Sequence, residues 1–204
     1  MYTPGKFRAE DKAEVLEFIR ANSFGILVNQ AEGKLWATHI PILMDKKGEK
    51  LSGHISKANK QWKGFSSGEE VMAIFQGPHA YISPSWYDHR NVPTWNYVAA
   101  HVYGTIHIIE GEELYQSLGK LVDTYEAGFE HSIDMAYIGE KSVKKQMRGV
   151  VGFEIHITDI QASQKLSQNR NDASYKEVVK QLRESDNQTD QQLAEEMYKK
   201  RPLD

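Results

Sequence analysis

"LWATHIPILMDKKGEKLSGHI", residues 35–55, decides the fold class. Its first half is rich in aromatic and β-branched residues, "KKGEK" reads as a hairpin turn, and "LSGHI" returns as a second strand. Outward from it the same signal repeats. "FGILVN" (24–29) precedes it; "EVMAIF" (70–75), "AYIS" (80–83) and "TWNYVAAHVYGTIHIIE" (94–110) follow, separated by Gly, Pro, Ser and Asn clusters. Short strands with few helices between them predict an antiparallel barrel or sandwich. "GVVGFEIHITDIQA" (149–162) alternates apolar and polar residues and predicts the strand that closes the sheet.

Helices are expected at the margins. Val15, Phe18, Ile19 and Asn22 share a helical face, with Glu10 and Asp11 in the first turn. Leu114, Leu118, Leu121, Val122, Tyr125 and Phe129 form an apolar stripe, and a shorter helix spans 140–148. Near the end, Tyr175, Val178, Val179 and Leu182 mark one helix; Thr189 and Gln192 form a capping-box pattern before another carrying Leu193 and Met197. The prediction is an α+β chain: a barrel domain over 1–163 and a helical extension over 164–204 that serves docking or dimerisation.

Composition excludes several classes. With 25 basic and 28 acidic residues the net charge is −3, which gives no bulk attraction to nucleic acid or anionic membrane. The absence of cysteine removes disulfides, thiolate metal sites and thiol nucleophiles. "MYTPGKFRAEDK" turns charged before an apolar run forms, so no signal peptide, no membrane span and a cytoplasmic home are expected. Hydrolase, zinc-protease and phosphate-loop signatures are missing, and no two of the eight histidines have helical ligand spacing, so no metal is expected.

Three segments concentrate aromatic rings beside amides and hydroxyls: "GHISKANKQWK" (53–63), "FQGPHAYISPSWY" (75–87) and "VPTWNYVAAHVYG" (92–104). That mixture suits a flat heteroaromatic ligand with a polar rim. The plainer reading is that these rings are core and rim residues of a barrel, and that Ser-Pro-Ser is simply a turn.

"MYTPGKF", the three segments' cores "GHISKANKQW", "FQGPHAYISPSWY" and "VPTWNYVAAHVYG", and "KLSQNR" (165–170) resemble, in order, the PaiB family of FMN-binding negative transcriptional regulators of protease synthesis and sporulation. The resemblance runs from residue 1 to about 182 and implies an FMN-binding split β-barrel, a homodimer and a flavin nucleotide as cofactor. It places Thr38 and His39 near the flavin ring and His54, Asn59 and Trp62 beside it. Tyr81, Ser83, Trp86 and Tyr87, with Thr94, Trp95 and Asn96, would supply further walls, and Lys165 and Arg170 would meet the phosphate. The dense Arg-Lys-Ser signature of pyridoxamine phosphate oxidases is missing, so pyridoxal chemistry does not carry over.

A regulator invites a search for a promoter DNA contact. Lys141, Lys144, Lys145 and Arg148 share one face of the 140–148 helix, and a dimer would show that face twice. Two alternatives stay open: a flavin-dependent reductase or oxidase using His89, Arg90 and Tyr87 on a second substrate, and a haem-handling protein with His101 or His79 on iron.

Overall fold

The computed structural model describes residues 1–66 and 68–203. Six strands, β1 (Phe24–Ala31), β2 (Lys34–Met44), β3 (Lys50–Ser56), β4 (Glu70–Ile82), β5 (Thr94–Ile109) and β6 (Val150–Lys165), close a barrel in the order β1-β2-β3-β6-β5-β4. The expected barrel is therefore present. "EVMAIF" and "AYIS" are one strand, β4, which runs unbroken through Pro78. Helices are α1 (Lys12–Ala21), α2 (Gly111–Glu126), α3 (Met135–Ile138), α4 (Glu140–Met147), α5 (Asp172–Arg183) and α6 (Gln188–Lys200).

Two compact units divide the chain, and the long strands β4, β5 and β6 contribute residues to both. The larger unit comprises Ile19–Phe75 and Val102–Ile160. Its first hairpin turns at Glu32 and Gly33, whose φ of 51° and 73° give the left-handed pair that matches the twist of flanking strands. At the β2–β3 turn, Asp45 Oδ1 accepts the backbone N–H groups of Glu49 (2.8 Å) and Lys50 (3.0 Å). Burial opposes ionisation of this carboxyl, but those donors outweigh it and hold its pKa below the ordinary value.

Strand alternation sends Leu27, Ile42, Leu51, Phe75, Ile106, Phe153 and Ile155 into this unit's core, each fully buried. Each side chain contributes about 1.5–3 kcal/mol of burial. A methyl at Gly104 would lie 2.3 Å from the backbone oxygen of His156, so β5 and β6 approach there only because residue 104 has no side chain.

The smaller unit comprises Met1–Phe18, Gln76–His101 and the described part of Gln161–Asp204. Its core gathers Ala80, Ile82, Tyr87, Val98 and Leu166 with Tyr175, Val178, Val179 and Leu182 of α5 and Leu193, Ala194 and Met197 of α6. The apolar stripes predicted for docking or dimerisation are thus spent inside this unit. Tyr175 also donates its hydroxyl to the Met197 carbonyl at 2.6 Å. Burial pushes that phenol up to about 12, with Arg201 opposing.

Other expectations shift in detail. Asp11 lies ahead of α1 and caps it, its Oδ1 accepting from Ala13 N and Glu14 N at 2.9 and 3.1 Å. α6 is capped by Asn187, whose side chain accepts from Thr189 N at 2.9 Å, so the Thr189–Gln192 box does not form. On α2 only Leu114 is buried; Leu118, Leu121 and Val122 are half-buried, and Tyr125 is exposed. Phe129 lies beyond the helix end and is 66% exposed.

Candidate functional site

In the larger unit, a polar network crosses from β1 and β2 to the 3-10 turn Lys60–Gly64. Gln61, fully buried, donates its side-chain amide to the Leu27 carbonyl (2.9 Å) and to Asn29 Oδ1 (2.8 Å), and accepts from the Thr38 hydroxyl. Asn59 caps the turn by accepting from Gln61 N at 3.0 Å and donates to Thr38 Oγ1 at 2.9 Å. Every polar atom of the Gln61 side chain is engaged, and its two neighbours are held in one orientation. Asn59 keeps one amide hydrogen and one acceptor lone pair for a ligand edge.

Thr38 and His39 part company at this point. Thr38 shares a face of β2 with buried Ile40 and Ile42, whereas His39 lies on the opposite face and stacks on Phe24 at 6.4 Å. Trp62 donates its indole N–H to the Lys57 carbonyl of its own loop (3.0 Å). His54 stands half-buried on β3, and burial lowers its pKa.

The smaller unit holds the remaining candidates. Tyr81 and Trp95 are exposed and meet edge to face at 6.0 Å, with His79 6.2 Å from the same indole. Ser83 caps the 3-10 turn Pro84–Trp86, and Trp86 packs against the core. Asn96 is fully buried and donates to Ser167 Oγ at 2.9 Å, which commits its amide to the interior. Tyr87 is buried under the Arg170 guanidinium, 4.5 Å from its ring, and its hydroxyl finds no partner among the described residues. Lys165 donates to the Thr94 hydroxyl; burial, then Arg170 and Lys6, lower its pKa.

Beside them, Asp88 fastens its loop to the start of α5. It accepts from Ser174 Oγ (2.7 Å), Asn171 Nδ2 (2.9 Å) and His89 Nδ1 (2.6 Å). His89, Ser174 and Asn171, in that order, lower the Asp88 pKa to about 2. Arg90 is exposed, and His101 is half-buried with its pKa lowered by burial and by the N-terminus. A cavity of about 500 Å³ in the same unit is lined by Lys176, Lys180, Arg183, Tyr198, Arg201 and others, but by none of the predicted cofactor residues. Its Arg183 and Arg201 are already paired with Glu195 and Asp172.

On α4, Lys141, Lys145 and the C-cap Arg148 are exposed, while Lys144 pairs with Glu140 at 2.5 Å. Among the described residues, no helix is long and apolar enough to cross a membrane. Gln61 stood within the segment "GHISKANKQWK" without a role of its own, and sequence reasoning passed over Asn29. The one available signal was an asparagine ending the apolar run "FGILVN".

A family described as "Putative FMN-binding domain" matches residues 1–159. The Protease synthase and sporulation protein PAI 2 of Bacillus subtilis (strain 168) is 41% identical over 202 residues, 98% of each chain. The FAD and heme binding protein from Mycobacterium smegmatis superposes with a TM-score of 0.61 at 13% identity, over 78% of this chain and 73% of its own. The flavocytochrome Anf3 from Azotobacter vinelandii gives 0.62 at 14%, over 84% and 75%. At such identities the likeness speaks for the fold alone.

Proposed function

We propose, from the premise that the chain belongs to the PaiB family of FMN-binding domains, that it is a flavin-binding negative regulator of protease synthesis and sporulation. The regulatory role rests on near full-length similarity to PAI 2. The observation that carries the flavin arm is the pair Lys165 and Arg170, neither of which has a carboxylate partner among the described residues. Unmatched cations of this type fit the phosphate of a flavin mononucleotide. Bound FMN would supply one- or two-electron redox chemistry.

The flavin arm is tested by adding FMN to the purified protein and recording its visible spectrum and fluorescence. Uptake with a shifted flavin band is expected; a protein that stays colourless after desalting overturns the cofactor reading. The regulatory arm is tested in Bacillus subtilis lacking PAI 2. Expression of this chain should return extracellular protease to its lower level, and failure to do so at matched protein levels removes the role.

Assembly and DNA contact belong to the same reading. A cytoplasmic homodimer would cover exposed Phe24 and Leu35, which are 65% and 82% accessible in the single chain. Light scattering at micromolar concentration decides the dimer. Lys141, Lys145 and Arg148 are the cations α4 offers to promoter DNA. A promoter footprint that survives their change to Gln removes that helix as the contact.

A further inference from the structure

We infer that the N-terminal segment completes an oxyanion site: Lys6 joins Lys165 and Arg170 to hold a phosphate monoester. This deepens the flavin reading and rests on it only for which nucleotide carries the phosphate.

The backbone sets Lys6 in place. The 3-10 turn Gly5–Phe7 buries the Phe7 ring, Arg8 bridges to Ser163, and Ala9 N donates to the Ala162 carbonyl at 3.1 Å. The segment is thereby fixed beside the end of β6, which carries Lys165. Both ammonium groups then approach one ring, Lys6 Nζ at 5.0 Å and Lys165 Nζ at 5.9 Å from the Phe7 centroid. A cation over an aromatic face is attracted to it, yet that attraction is far too weak to neutralise two like charges.

No ion pair among the described residues includes Lys6, Lys165 or Arg170. Among the described residues, seven other lysines and arginines pair with carboxylates. Partly burying Lys165 beside two cations costs free energy that a bound anion recovers, and its lowered proton affinity is the sign of that cost.

A neutral group agrees. Thr94 Oγ1 accepts from Lys165 and keeps its own hydrogen to donate. Three cations and a hydroxyl donor suit a dianion with three terminal oxygens better than a carboxylate with two.

The test uses the full chain as wild type, Lys6→Gln and Lys6→Arg, titrated with FMN, riboflavin and inorganic phosphate by calorimetry, with circular dichroism to confirm the fold. Wild type should bind FMN roughly tenfold or more tighter than riboflavin, the worth of a charge-assisted contact. Lys6→Gln should narrow that ratio severalfold with riboflavin unchanged, and Lys6→Arg should restore it. An unchanged ratio overturns the assignment of Lys6. If neither flavin binds, phosphate alone decides: uptake lost in Lys6→Gln keeps the oxyanion site and ends the flavin reading. No phosphate uptake, or equal uptake in both proteins, ends the oxyanion site.

Discussion

Two polar clusters, one of neutral amides and one of cations, obey opposite rules. Around Gln61 the amides and hydroxyl of Asn29, Thr38 and Asn59 satisfy one another, and the central side chain is sealed from water. Around Lys165 the charges of Arg170 and Lys6 repel, and among the described residues no carboxylate pairs with it. A closed network stabilises the fold and fixes the orientation of whatever it leaves exposed. An open one costs stability, which is the usual mark of a place where something else binds.

The contrast breaks most visibly at Gln61. Gln61→Leu would remove the side-chain amide's bonds to the Leu27 carbonyl, Asn29 Oδ1 and the Thr38 hydroxyl, at about 3 kcal/mol, read as a large drop in the denaturant midpoint. A neutral outcome would mean the closed network is ornamental to the fold. Lys165→Met should move the other way in the ligand-free protein, leaving stability unchanged or slightly raised, while phosphate affinity falls. Loss of stability in that variant would place Lys165 with the architectural residues.

Tyr175→Phe tests a satisfied contact of the smaller unit and should cost about 1 kcal/mol, because the buried hydroxyl's bond to the Met197 carbonyl is lost and that carbonyl keeps only the Arg201 N–H. The smallest effect concerns acid. Asp88 ionises near 2 in the folded chain against an ordinary 3.8, so its support for the α5 junction is complete above pH 4 and fades as pH falls toward 2. Asp88→Asn should flatten that acid limb in a melting series from pH 5 to pH 2, and an unaltered limb would assign the acid sensitivity elsewhere.

The barrel was legible because strand alternation is written locally: residues 35–55 already contain two strands and their turn. The stripes of α5 and α6 were legible for the same reason, although what they pack against was not. β4 was read as two strands because Gly77 and Pro78 look like a break, yet the strand continues through both. The α6 cap was misplaced because Asn187 and Thr189 are both competent, and only backbone geometry chooses between them. Of the candidate residues, Asn96 looked available and proved to be bonded in the core. Lys6 was not among the candidate residues. Its nearness to Lys165 depends on the bridge between Arg8 and Ser163, a pairing across most of the chain that no local pattern records.

Gly104 carries a last consequence, one for the tolerance of this sequence to change. Its missing side chain lets the β5 backbone lie against the oxygen of His156, so the closeness of the two strands hangs on a single hydrogen atom. In a saturation mutagenesis library, position 104 should therefore be a column of near-uniform loss, with alanine no better tolerated than larger residues. Gly5, around whose added carbon nothing lies within 4 Å, should accept alanine freely.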